Sequence, residues 1–366
     1  MSVISWIMAI FAIIGAIDRI IGNKLGLGQE FEKGIYILGT MMMSMVGMIV
    51  LAPVIAELLK PVTSVMTGLL DPSIMPAMLF ANDMGGASLS TSMANNELLG
   101  KFNGLVVSTM MGCTLTFTIP YAVGVVPKEK HKNMFLGILC GMTTIPIGCF
   151  IGGLVLNVPF VLLVVDLLPI IVLSGLIVFG LIKFPNVCVK IFSVLGFIIK
   201  VMVTVGLVVG IFEFLTGVKL IPFVAPLSEG TDIIINATCV MAGAFPLIKI
   251  ISFILTKPLT AFGKLLGVNN TSAVGFISSL ATNVTTFGIM QDMDDKGIIY
   301  NSAFSVSASF VFAGHLAFTL AYSADCVPAV IVSKLIAGVT SILVAYLIFG
   351  RKLKTQPKAE QISMEI

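Results

Sequence analysis

One composite pattern occurs twice in this chain, and the pair constrains the fold more than any other feature. At Lys60 the chain reads Lys-Pro-Val-Thr, passes Leu69 and enters an apolar run broken at Asn82-Asp83-Met84-Gly85-Gly86. At Lys257 it reads Lys-Pro-Leu-Thr, passes Leu266 and enters an apolar run broken at Thr282-Asn283-Val284-Thr285-Thr286. Each copy continues into a long stretch that opens with an Asn (Asn103, Asn301) and is rich in Ser or Thr. Interrupted hydrophobic segments at corresponding positions of two halves point to the binding site of a transporter.

Composition places both copies in a bilayer. The chain is 57% hydrophobic and 11% charged, against about 25% charged in soluble domains. Its net charge of +3 sits mostly in loops and the tail, so it reports orientation rather than affinity for nucleic acid. The six cysteines are scattered, with no CxxC pair and no metal-ligand spacing, and read as small apolar residues. The start lacks a basic leader, and the first apolar run ends in Asp18-Arg19; it reads as a retained span rather than a signal peptide.

Apolar runs of about 20 residues lie near 3–22, 34–59, 102–125, 132–156, 158–183, 188–216, 230–256, 298–322 and 326–349. The segments 72–98 and 269–296 differ, because each is two runs of about ten residues around a polar tip, and ten helical residues reach about 15 Å, half a bilayer core. Each reads as a re-entrant hairpin. The expected fold is an all-α polytopic membrane protein with about nine transmembrane helices and two hairpins; eleven full crossings are the alternative. Charge arbitrates. With hairpins and a cytoplasmic tail, Lys128, Lys130, Lys132, Lys183, Lys190, Lys257 and Lys264 all fall inside, as the positive-inside rule favours. Five crossings then separate the hairpins, so the halves, about 34–156 and 230–349, form an inverted repeat within one transmembrane domain, 1–350. The tail, 351–366, is polar and expected to be disordered. The Lys-Pro segments 60–70 and 257–267 are expected as interfacial helices.

Ionisable residues inside spans are costly and mark functional sites by default. Asp83 stands at the first hairpin tip, where a carboxylate beside a helix C-terminus makes a cation site, and where Gly85 and Gly86 let the backbone turn or approach a ligand. Its other reading is a cap for the second half-helix. Asn82, Thr282, Asn283, Thr285 and Thr286 supply neutral donors and acceptors for a hydroxyl, or for the hairpin's own backbone. Asp166, Asn103, Asn301 and His315 are the candidates for coupling or for the pathway. Asp166 has the competing reading of a pairing with Lys200 or another span, His315 that of a hydrogen-bonded packing residue, and Lys200, Lys249 and Lys334 are expected to snorkel or pair internally. No catalytic or metal-ligating constellation is present, and an intramembrane enzyme is the remotest of the readings.

The stretches Phe31-Glu32-Lys33-Gly34 with Met45-Val46-Gly47-Met48, Asp83-Met84-Gly85-Gly86, Thr144-Ile145-Pro146-Ile147-Gly148-Cys149, Gly263 to Asn270 and Asn301 to Ala308 together resemble the ethanolamine utilization permease family, EutH, from the first span to about residue 350. The resemblance implies a multi-pass permease of the bacterial inner membrane that imports ethanolamine for degradation in a microcompartment. It implies no cofactor, and its partners are ethanolamine and membrane lipid. Ethanolamine is a small ammonium with one hydroxyl, so a carrier needs one anion or carbonyl cluster and one hydrogen-bond partner in a small dry pocket. The residues alone reach only a secondary transporter of a small polar solute by alternating access. They leave open an ion-coupled carrier of another solute such as a nucleoside, a channel, and the oligomeric state, a homo-oligomer included.

Overall fold

The structure is a computed structural model, described for residues 3–63 and 70–350, with the backbone alone at 62, 63, 252, 255–262 and 264. Among the described residues every regular element is helical, and eight helical stretches are long and apolar enough to cross a membrane. The chain is an all-α polytopic membrane protein.

The first span, α1 (Val3–Ile20), turns its apolar side chains outward: Trp6, Ile10, Ile13 and Ile17 are exposed, as suits a helix solvated by lipid. Its end is fixed by Asp18, whose carboxylate accepts the backbone N–H groups of Leu25 at 2.9 Å, Leu27 at 2.8 Å and Gly28 at 3.0 Å. The last two, from Leu27 and Gly28, are donors that the start of the next helix leaves unpaired. That helix, α2 (Leu27–Met41), passes through a π-turn at Met42–Val46 into α3 (Gly47–Thr63). Most of the first Lys-Pro segment lies outside the described residues.

The first interrupted segment folds back on itself. Its arms are α4 (Ile74–Leu79) and α5 (Gly86–Met93), joined by extended Phe80 and Ala81 and a 3-10 turn at Asn82–Met84. Gly85 closes the tip at φ 106°, a conformation that glycine adopts without steric cost. Asp71 clasps the base: one oxygen accepts the Ser73 N–H at 3.0 Å and hydroxyl at 2.6 Å, the other the N–H groups of Asn95 at 3.1 Å and Asn96 at 2.9 Å. Both ends of the segment therefore lie at one level. The following crossing runs from α6 (Glu97–Lys101) through π-helical Phe102–Gly112 and Thr114–Thr118 into α7 (Ile119–Val125). It is the most enclosed of the spans, 78% buried.

Beyond it lie α8 (His131–Val155), α9 (Phe160–Lys183), α10 (Pro185–Thr216) and α11 (Leu227–Leu266). The second Lys-Pro segment is not a separate interfacial helix, because α11 continues unbroken to Leu266. The second interrupted segment is again a pair of arms, α12 (Asn270–Ala281) and α13 (Asn283–Gly288). Its base is held by Asp294, which accepts the Asn269 N–H at 3.0 Å and the Ser272 hydroxyl at 2.8 Å. The two openings match in detail, since Asn103 donates to the Ser73 hydroxyl and Asn301 to the Ser272 carbonyl, each at 2.9 Å.

The expected crossing near 298–322 is not one helix. It divides into α14 (Asp295–Ala308) and α15 (Gly314–Tyr322), with an unwound stretch at 309–313 that accounts for eight long helices rather than nine. The last span is α16 (Val327–Phe349). The core is α8 with α14 and α16 packed along it, tied by Thr144, whose hydroxyl donates to the Ala337 carbonyl at 3.0 Å. In contrast α9 and α10 are each only 33% buried and present exposed Phe160, Phe179 and Phe197, so they line the lipid side.

The hairpin bases lie at opposite ends of the enclosed crossing. At its start Lys101 pairs with Glu97 at 3.1 Å and, at 3.6 Å, with Asp325 ahead of α16. Past its other end Lys130 donates to the carbonyls of Met290, Gln291 and Met293 at 3.3, 2.6 and 2.8 Å, at the base of the second hairpin.

Candidate functional site

Both hairpin tips reach one cavity of about 350 Å³. The first tip contributes Ala81, Asp83 and Met84, the second Ala281 and Thr282. Phe310, Ala313, Gly314 and His315 enter from the unwound stretch and the start of α15, Cys113 and Phe117 from the π-helical crossing. Thr40 and Ser44 close it from the α2 side, Met241 and Phe245 from α11. At about 30 Å³ per water molecule, it has room for a small solute together with several waters.

Each break in the helices has a local cause. The C-terminal carbonyls of α12 would be orphaned where the helix stops at Ala281; instead Ser279 and Leu280 accept the N–H groups of Phe310 and Phe312, each at 3.0 Å. The unwound stretch is thus held against the second tip by main-chain bonds. Phe310 adopts a left-handed φ of 64°, a strained state for an aromatic residue that only surrounding structure maintains. That strain turns its ring into the cavity, edge-on to Phe117 at 5.7 Å and tilted against His315 at 5.1 Å.

Asp83 is the one acidic residue among those lining the cavity. The N-cap position of α5 is held by Gly85 and not by Asp83. The Ala81 carbonyl, close by, is already used by Met84 at 3.0 Å and Gly86 at 2.8 Å. That leaves the carboxylate as the strong acceptor of the first tip. Lys334 lies within its electrostatic reach, fully buried, with its ammonium donating to the Thr109 carbonyl at 2.8 Å. It pairs internally, with a carbonyl rather than a carboxylate, and does not snorkel. Lys249 likewise bonds the Gly26 carbonyl at 2.9 Å.

The remaining residues singled out from the sequence divide by position. Thr282 lines the cavity and accepts the Val284 N–H at 3.2 Å. Asn82, between the lining residues Ala81 and Asp83, is buried with both amide atoms unpartnered. Asn283 is buried behind the tip, its amide donating to the Thr118 hydroxyl at 3.0 Å. Thr286 bonds the Ser279 hydroxyl at 2.9 Å and the Gly275 carbonyl at 3.0 Å, within the hairpin, while Thr285 is exposed. Gly85 and Gly86 shape the first tip. Asn103 and Asn301 sit at the hairpin bases, away from the cavity. His315 is buried in the wall with Nδ1 unpartnered. Asp166 is 1% exposed, with neither oxygen partnered, whereas Lys200 is exposed; the two do not pair. The aromatic lining, Phe117, Phe245 and Phe310, escapes sequence reading, because aromatic residues in apolar runs carry no mark of the break that aims them.

A mainly apolar chamber with one carboxylate and three aromatic rings is suited to a small organic cation. The low-dielectric wall strengthens the charge interaction, and ring faces attract an ammonium directly. Comparison with known proteins gives the family. No solved structure matches the chain. The model of the family described as "Ethanolamine utilisation protein, EutH" matches residues 1–348. A protein of Listeria monocytogenes named "Probable ethanolamine permease EutH" is 43% identical over 99% of this chain and 98% of its own length. Proteins of the same name from Salmonella typhimurium and Escherichia coli are each 34% identical over 98% of both chains. The chain therefore belongs to the EutH family of ethanolamine utilisation proteins.

Proposed function

We propose that this protein is a permease that carries ethanolamine across the bacterial cell membrane by alternating access, holding the substrate between the two hairpin tips. The observation that carries the reading is Asp83, the one carboxylate on the wall of a cavity that both tips enter. The ammonium sits on this carboxylate against the faces of Phe117 and Phe310. The hydroxyl takes the far side, where Thr282 and Ser44 offer oxygens. The hairpins are re-entrant in this reading, and the two halves form an inverted repeat. Its support is that the two hairpin bases lie at opposite ends of one membrane-length crossing, Glu97–Val125. Helices that stop and restart at the cavity give a carrier parts that can open to one side at a time.

The test is uptake of labelled ethanolamine by proteoliposomes. Saturable uptake, with counterflow when the vesicles are preloaded with unlabelled ethanolamine, is the expected result; linear uptake without counterflow marks a channel. Orientation is tested separately. Single cysteines at Lys128 and Lys183 are expected to react only from the cytoplasm and one at Asn157 only from outside. Labelling of position 128 from outside removes the inverted repeat.

A further inference from the structure

The cavity wall holds a second hydrogen-bonding group that the protein leaves without a partner. His315 stands in the first turn of α15, which packs against the turn at Asn82–Met84, and it lines the same cavity as Asp83. It is 2% exposed, yet its imidazole makes no hydrogen bond among the described residues. Nδ1 is sealed in the wall unpartnered, and Nε2 is the ring nitrogen that is not sealed. The backbone N–H of His315 donates to the Phe310 carbonyl at 3.2 Å, so the break that turns the Phe310 ring into the cavity also sets the imidazole. The two rings lie 5.1 Å apart, and Phe310 meets Phe117 at 5.7 Å. His315 therefore borders the aromatic faces on which the ammonium sits. The chain's other histidine, His131, is placed differently, with Nε2 bonded to the Val126 carbonyl at 2.8 Å.

Without His315 the chamber would be a site for organic cations in general. One carboxylate and the rings of Phe117, Phe245 and Phe310 attract a quaternary ammonium as well as a primary one. A cavity of about 350 Å³ does not exclude N-methyl groups by size, and each methyl adds apolar surface to bury. What a primary ammonium has and a quaternary one lacks is N–H donors, and Asp83 takes those on its own side. Elsewhere on the wall the hydroxyls are already engaged: Ser44 donates to the Thr40 carbonyl at 3.0 Å, and Thr282 accepts the Val284 N–H at 3.2 Å. The Cys113 thiol is a weak acceptor. The imidazole nitrogen is left, with a free lone pair in the neutral ring.

We propose that Nε2 of His315 accepts an N–H of the substrate's ammonium alongside Asp83, and that this bond makes the carrier select primary amines over N-methylated ones. Each methyl group puts a carbon where a donor was. A fully methylated ammonium presents no donor, so its entry leaves Nε2 covered by methyl groups and unpaired, which is costly in a dry interior. A hydrophobic pocket rejects an analogue only weakly, whereas a site built to hydrogen-bond a substrate N–H rejects the analogue that lacks it strongly. The inference rests on the permease reading and adds to it the class of amine carried.

The experiment is uptake of labelled ethanolamine by proteoliposomes in competition with its N-methyl, N,N-dimethyl and N,N,N-trimethyl derivatives, for the wild type, His315→Leu and His315→Gln. Wild-type inhibition constants are expected to rise with each methyl group, reaching at least about tenfold for the trimethyl compound, the lower range for a hydrogen bond to a charged group. His315→Leu is expected to weaken ethanolamine by a similar factor and leave the trimethyl compound unchanged, so that the preference disappears. His315→Gln, whose amide oxygen is again an acceptor, is expected to keep part of it. A merely structural histidine would move every amine by one factor. The ¹⁵N imidazole spectrum of the wild type decides the matter if His315→Leu does not fold. The chain has two histidines, and ethanolamine, but not the trimethyl compound, is expected to shift the ring nitrogens of one of them. A wild type that takes the trimethyl compound as readily as ethanolamine, a His315→Leu variant that weakens all the amines alike, or imidazole resonances indifferent to ethanolamine overturns the proposal while leaving the permease reading intact. Absence of saturable ethanolamine uptake by the wild type overturns both.

Discussion

Replacing Asp83 by Asn is expected to leave a folded protein that no longer takes up ethanolamine at micromolar concentration. The substrate is too small to compensate. The best tiny ligands gain about 1.5 kcal/mol per non-hydrogen atom, so the four such atoms of ethanolamine bring about 6 kcal/mol, a Kd of tens of micromolar at best. Removing one partner of a desolvated charge pair typically costs about 3 to 5 kcal/mol, which leaves binding weaker than about 1 mM. Stability should change little, because Asp83 does not hold the N-cap position of α5 and its amide equivalent fits the same space. Thermal unfolding and concentration-dependent uptake of the one variant check both halves of this expectation. Near-normal affinity would assign the ammonium to another group.

The second large effect is expected at Gly112, in the π-helical crossing that the first hairpin leans on. A Cβ there would lie 1.9 Å from the Phe80 carbonyl oxygen and 2.4 Å from its carbon. Those atoms are backbone at the point where the hairpin's first arm gives way to the tip, so no rotamer change relieves the clash. Overpacking of this kind typically costs about 1 to 3 kcal/mol, sometimes more. The relief available is movement of the tip, which carries Asp83 with it. Gly112→Val should therefore abolish transport and lower the unfolding temperature, whereas Gly124→Ala, with nothing within 4 Å of the added Cβ, should do neither. Uptake and thermal unfolding of the two variants provide the comparison. A transporting Gly112→Val would mean that the tip does not need its present seat.

Much of this architecture is legible in the sequence, because lipid imposes its own pattern. A run of about 20 apolar residues has to be a span, and a half-length run has to turn back or pair with another. The polar tips at Asn82-Asp83 and Thr282-Asn283 are visible for the same reason, since such residues inside apolar runs are costly. What stays hidden depends on partners distant in the chain. Nothing in Ser307-Ala308-Ser309-Phe310-Val311 marks an end of helix; α14 stops there because the carbonyls of Ser279 and Leu280 take up the freed N–H groups. The ring of Phe310 enters the cavity for that reason alone. Asp166 invites pairing with Lys200, and a helical wheel of each span cannot reveal that the lysine lies on the lipid-facing side of α10. The Asp71 clasp is equally hidden, because an Asp before a Pro reads as a turn residue until the N–H groups of Asn95 and Asn96 arrive from the far end of the hairpin. The second Lys-Pro segment shows the opposite failure: the pattern promises a break at Pro258, and α11 continues through it.

The central claim is a contact between the substrate's ammonium and the carboxylate of Asp83. It is measured most directly by the dipolar coupling between ¹⁵N-ethanolamine and the ¹³C-labelled side-chain carboxyl of aspartate in the protein held in bilayers, with Asp83→Asn to assign the signal. The account predicts dephasing of one aspartate carboxyl resonance by the bound nitrogen, at an ion-pair separation of about 4 Å or less, lost in the variant. Bound ethanolamine that dephases no aspartate carboxyl, or that dephases one still present in Asp83→Asn, would contradict it.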